Sequence, residues 1–122
     1  MSDWIRDYFD DVDNMRLDDW IARHTDDVVV AFGNNPPAHG KEAVAGNIGY
    51  FWSLIGGLKH NIVHVHEADG TTILESRVDY LRKDGETVTV PSTSIIHRSG
   101  DLVDALRIYI DLAPVFAEAQ AA

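Results

Sequence analysis

The hydrophobic period of the chain changes once, near Gly57. Before that point apolar residues recur every three or four positions. Trp4, Ile5, Tyr8, Phe9, Val12 and Met15 fall on one helix face behind Ser2, a residue type that caps helix N-termini. Leu17, Trp20, Ile21 and His24 continue the stripe on a second short helix, so the chain opens as a helical hairpin. The β-branched run Val28 to Val30 predicts a strand, ended by the Asn, Pro and Gly residues of "FGNNPPAHG". In "KEAVAGNIGYFWSLIGG", Val44, Ile48, Phe51, Trp52 and Ile55 form the face of a third helix, which Gly56 and Gly57 stop. Gly46 and Gly49 lie inside it, each costing up to about 1 kcal/mol relative to Ala, and close packing or room for a ligand would explain them. From Leu58 onward apolar and polar residues alternate, and "ADGT", "KDGE" and "RSGD" separate four strands of an antiparallel meander. Helices first and strands after them predict an α+β fold, with N-terminal helices packed on a curved, mostly antiparallel sheet.

Turn chemistry then sets which side chains share a sheet face. A two-residue turn at Asp69-Gly70 places His60 opposite Asp79, Ile62 opposite Arg77, His64 opposite Glu75 and His66 opposite Ile73. A second two-residue turn at Asp84-Gly85 extends that face through Val88, Val90, Ser92, Ser94 and Ile96, with Ser92 opposite Arg77. An odd-length connection at "SGD" adds Leu106, Ile108 and Ile110. Glu75, Arg77 and Asp79 are thereby expected on the helix-covered side, as a polar patch among apolar residues. The opposite face carries Val63, Val65, Leu74, Val78 and Tyr80, then Thr87, Thr89, Thr93, Ile95, Arg107, Tyr109 and Asp111, a mixture suited to a homodimer interface.

Composition removes several function classes. The 122 residues fit one domain, 1–122, with enough apolar sequence for a core. A net charge of −10 with no basic cluster argues against nucleic-acid and membrane-surface partners. Nine Asp residues among the first 27 lack the spacing and the mid-loop Gly of a calcium loop, and read as a solvated helix surface. There is no Cys, no leader-like N-terminus and no long apolar run, so a soluble cytoplasmic protein is expected. Alternation puts His60, His64 and His66 on one strand face, but the first two stand roughly 13 Å apart, too far to share an ion, so no metal site is assigned.

The segments "FGNNPPAHGKEAV", "LKHNIVHVHEADG", "ESRVDYLRKDG" and "RIYIDLAPVF" resemble the nuclear transport factor 2-like superfamily, and within it the SnoaL-like family, over nearly the whole chain. That resemblance implies a cone-shaped barrel with a deep apolar pocket between sheet and helices, usually a homodimer, hosting enzymes and non-enzymes alike. "RVD" is similar to the Arg-x-Asp of limonene-1,2-epoxide hydrolases and supplies Arg77 and Asp79. In that likeness Ile108 stands where a second Asp belongs, and Val30 and Phe32 replace a Tyr and an Asn. Against ketosteroid isomerases only Tyr8 transfers, and Ser92 falls where the oxyanion Asp would be. Together these imply Asp79 as general base oriented by Arg77, with His60 or His64 moving a proton. Tyr8, His64, Ser92, Trp52 and Ile108 become ligand-binding residues. The implied activity is a cofactor-independent isomerase, cyclase or hydrolase acting on an apolar small molecule with a carbonyl or epoxide. A structural Arg77–Asp79–His60 network, a non-catalytic binding module and a dimerisation scaffold are the alternatives.

Overall fold

The structure, a computed structural model, describes residues 1–117. In chain order the elements are α1 (Asp3–Asp13), α2 (Leu17–Ile21), β1 (His24–Phe32), β2 (Ala38–His39), α3 (Lys41–Ser53), β3 (Gly57–Ala68), β4 (Thr71–Leu81), β5 (Thr87–Ser99), β6 (Leu102–Ile110) and α4 (Ala113–Phe116). The six strands form one open sheet in the order β2-β1-β6-β5-β4-β3, so the expected α+β layout holds. β1 runs parallel to β6, with Val30 beside Leu106 and Phe32 beside Ile108, and every other neighbouring pair is antiparallel. No helix among the described residues is long and apolar enough to cross a membrane.

The helices bury the faces their spacing predicts. Ile5, Tyr8 and Phe9 of α1, Trp20 of α2, and Val44, Ile48 and Trp52 of α3 enter the core. Gly49 lets α3 approach α2, because a Cβ there would stand 3.1 Å from the Leu17 side chain; Gly46 has nothing within 4 Å and faces outward. Ser2 occupies the N-cap position of α1 without a side-chain cap, and its hydroxyl donates instead to the Glu67 carboxylate at 3.3 Å. Asp11, only 4% exposed, clamps the hairpin by accepting hydrogen bonds from Arg23 Nε at 2.6 Å and Arg16 Nε at 3.0 Å. Burial pushes its carboxyl up, but the two guanidinium groups outweigh that and hold it below the usual carboxylate range.

Register is where sequence and structure part. The Asp69-Gly70 turn forms as expected, with φ of 53° and 77°, and the pairs His66–Ile73 and His64–Glu75 follow. Past them β3 carries an extra residue at Val63, so Ile62 pairs with Ser76 and His60 with Val78, not with Arg77 and Asp79. The β4–β5 connection is also one residue longer than expected. Arg82 and Glu86 close a three-residue loop in which Gly85 takes φ of 89°, and Ser92 therefore faces Ser76 rather than Arg77. Each change is odd in count, so β4 turns over relative to expectation. Leu74, Ser76, Val78 and Tyr80 are buried, while Glu75, Arg77 and Asp79 lie on the outer face. Val65 turns inward with Leu74 as well. At the last hairpin a two-residue turn, Gly100-Asp101, and an irregularity at Asp104 together deliver the expected inward set, Leu106, Ile108 and Ile110.

His24, expected at the end of the second helix, opens β1 and has 0% exposure. Its Nδ1–H donates to the Trp20 carbonyl at 2.8 Å, and its Nε2 accepts the Tyr8 hydroxyl at 2.9 Å, which ties α1, α2 and β1 together. Burial lowers its pKa from 6.5 to about 4, despite backbone hydrogen bonds that favour the charged form. Between those values the unfolded chain binds the extra proton, so this contribution is complete above pH 6.5 and is lost as pH falls towards 4, amounting to about 3 kcal/mol. Denaturant unfolding at a series of pH values is expected to show that decline in the wild type and a much flatter dependence over the same window in His24→Gln.

Candidate functional site

Between the sheet and the helices lies a closed cavity of about 40 Å³. α1 contributes Tyr8, Phe9 and Val12, α2 Trp20, and α3 Ile48, Phe51 and Trp52; the sheet supplies Phe32, Leu58, His60, Tyr80, Ser92, Ser94, Leu106 and Ile108. That space holds about one water and falls far short of the roughly 300–1,000 Å³ of ligand pockets.

Among the polar groups of this cavity, His60 is the one held by a charged partner. Asp13, the last residue of α1, accepts the His60 backbone N–H at 3.0 Å and the Nδ1–H at 2.7 Å. With the carboxylate as acceptor a proton sits on Nδ1, and the ring packs 4.8 Å from Phe9. Burial, and then the Asp13 charge, push the Tyr80 phenol well above its ordinary value, so it remains a hydrogen-bond donor. Tyr8 is likewise held protonated by burial, but its hydroxyl is committed to His24. Ser92 and Ser94 add two buried hydroxyls, and Trp20 Nε1 is buried with no hydrogen-bond partner among the described residues. The arrangement offers one oriented imidazole and several neutral donors in a mainly apolar shell, which suits proton transfer.

Of the residues singled out in the sequence, His60, Tyr8, Ser92, Trp52 and Ile108 line this cavity. Asp79, Arg77 and His64 stand on the other face of the sheet, so the expected polar pocket floor is corrected by the two register changes. There Thr89 Oγ1 donates to Asp79 at 2.6 Å and Asn61 Nδ2 at 3.0 Å, and these two bonds hold its carboxyl below the usual range. The bulge at Val63 separates His60 from His64, which lies instead beside His66, with ring centroids 6.2 Å apart. Asp13 is missing from the sequence-derived site because it was grouped with the solvated Asp residues of the first helix. Its spacing carried the signal: Ile5, Phe9 and Asp13 succeed one another at four-residue intervals, on the buried stripe of α1.

A second, open concavity of about 740 Å³ lies between the Pro36-Pro37 loop, α3 and the α4 segment. It shares Phe32, Ile48 and Phe51 with the closed cavity, and the Phe32 and Phe51 rings, which line both spaces, lie 4.9 Å apart with their planes tilted by 52°.

The chain belongs to the SnoaL-like domain family, whose model matches residues 5–105. Among solved structures, a nuclear transport factor 2-like protein of unknown function from Burkholderia pseudomallei superposes with a TM-score of 0.86 at 12% identity, covering 97% of this chain and 100% of its own. A candidate SnoaL-like polyketide cyclase from Jannaschia Sp. CCS1 gives 0.80 at 16% identity, with 95% and 91% covered. A limonene epoxide hydrolase-like epoxide hydrolase from M. tuberculosis gives 0.77 at 14% identity, with 93% and 84% covered. No curated protein matches the chain. At these identities the likeness is one of fold, and that fold is the nuclear transport factor 2-like one expected from the sequence.

Because Asp13 satisfies both a backbone and a ring N–H of His60, its truncation leaves two donors without an acceptor. Asp13→Ala is expected to cost about 2 kcal/mol in urea unfolding, whereas Asp7→Ala on the exposed side of the same helix is expected to be close to neutral.

Proposed function

We propose that the chain is a SnoaL-like, cofactor-independent acid–base enzyme of isomerase, cyclase or hydrolase type, acting on an apolar small molecule that bears a carbonyl or an epoxide. The observation that carries this is His60, held by Asp13, on the wall of a mainly apolar cavity. On a carbonyl substrate, His60 Nε2 removes a proton from the adjacent carbon while Tyr80 or one of the two serine hydroxyls donates a hydrogen bond to the developing enolate oxygen. Asp13 fixes the ring and balances the imidazolium charge, which then returns the proton at a new position. Asp79 is the competing base, from the strand motif.

The 40 Å³ volume of the closed cavity favours a second reading, a non-catalytic binding module or dimerisation scaffold. Turnover decides between them. Terpene epoxides, steroid enones and aromatic polyketide esters are screened for thermal stabilisation, and every hit is assayed for reaction. His60→Gln is expected to lower kcat/KM by about 100-fold or more and Asp13→Asn by about 10-fold, with Asp79→Asn unchanged. Loss of turnover in folded Asp79→Asn with retention in His60→Gln would move the base to Asp79. Stabilisation without turnover would leave a binding module.

The same proposal takes the outer sheet face as the surface of a homodimer. Val63 and Tyr109 are 53% and 59% exposed there, and Glu75, Arg77 and Asp111 flank them around one concavity. Light scattering at micromolar concentration is expected to give twice the monomer mass for the wild type and the monomer mass for Tyr109→Glu; a monomeric wild type would remove the proposal.

A further inference from the structure

We propose that the open groove between the Pro36-Pro37 loop, α3 and α4 is a binding site for the bulk of an uncharged, largely apolar molecule, and that the Phe32–Phe51 pair is a movable partition between that groove and the His60 cavity. The role of His60 rests on the function proposed above; the groove and its partition do not. At about 740 Å³ the groove has the volume of a small-molecule site, which the closed cavity lacks. Its walls are aliphatic and aromatic, with Tyr50 68% exposed and Leu54 and Phe116 also left open to solvent. Among the described residues no carboxylate, lysine or arginine lines it, and its polar groups are the neutral hydrogen-bonders Asn35, Asn47 and Tyr50, together with His39. Such a wall gives an anionic or cationic ligand no counter-charge, and desolvating the charge would be costly. An uncharged molecule with carbonyl or hydroxyl groups meets partners for both its apolar and its polar surface.

The partition follows from where Phe51 sits. Its ring meets Tyr80 at 5.9 Å on the side of the closed cavity and Phe116 at 6.0 Å on the side of the groove, with Phe32 beside it at 4.9 Å. Phe32 is the last residue of β1, before Gly33 at φ of 55°, and both Phe side chains are only partly buried. A rotamer change at Phe51 exchanges aromatic contacts in one space for contacts in the other, a motion open to a side chain at the edge of the core.

The test uses the full chain and a matched pair of probes, 2-acetylnaphthalene and the anionic 2-naphthoate, and is read by two-dimensional amide NMR without any turnover. The neutral probe is expected to shift the Asn47 side-chain amide and, at saturation, the Trp20 indole N–H, while the anion binds at least about 10-fold more weakly. Ala43→Trp, an exposed change that fills the groove, is expected to abolish binding, and Phe51→Ala to enlarge the Trp20 response. Binding that survives Ala43→Trp, equal affinity for the two probes, or no binding of the neutral probe overturns the site. An Asn47 response with an unchanged Trp20 resonance in both wild type and Phe51→Ala overturns the partition; if Phe51→Ala does not fold, Phe51→Leu supplies the same comparison. Groove binding without any catalysis would remove the acid–base function and leave this inference standing.

Discussion

The interior of this protein depends on one extra residue in β3. Val63 has no partner across the hairpin, so the strand shows one face to the core before it and the other after it. His60 therefore joins the cavity wall while His64 and His66 meet solvent. The end of α1 completes the arrangement, because Asp13 reaches the same strand and holds both the backbone and the ring of His60. A helix end thus positions a strand residue to which it has no sequence proximity.

The acidic character of the N-terminal hairpin serves two different purposes. Most of its Asp residues meet water and maintain the net charge of −10. Asp11 is buried and Asp13 half-buried. The first closes the turn between α1 and α2 through two arginines, and the second crosses to the sheet. His24 and Tyr8 add a neutral buried link between the same helices and β1, so the helical layer is fastened to the sheet by polar groups as well as by packing.

An apolar cone with polar groups on its wall is compatible with many chemistries, and the fold alone selects none of them. What distinguishes this chain is that its free volume is divided. The part beside His60 is nearly filled by aromatic side chains, and the larger part lies outside a pair of phenylalanines. Its strand motif "RVD" meanwhile faces away from both, with Asp79 engaged by Thr89 and Asn61 across neighbouring strands. The same letters that mark a site on one register mark a solvated sheet surface on the other.

Periodicity and turn residues by themselves determined the three helices, the meander and the first hairpin turn, because those depend on local repeats and on residues adjacent in sequence, whereas the family was legible only as a resemblance of longer segments. Periodicity also held the correct inward set on β4: Leu74, Val78 and Tyr80 alternate with Glu75, Arg77 and Asp79, and hydrophobicity alone would have buried the former. Counting from idealised turns overrode that signal and inverted the strand. Tertiary structure decided the rest. The bulge at Val63 and the three-residue loop before Glu86 are single-residue insertions whose effect appears only when strands pair. The parallel contact of β1 with β6 and the Asp13–His60 bond join residues far apart in the chain, and no local pattern encodes such a meeting. Side-chain type and spacing fix what each segment prefers; which preferences become a site is set by long-range packing, where one residue of register exchanges the inside of a sheet for its outside.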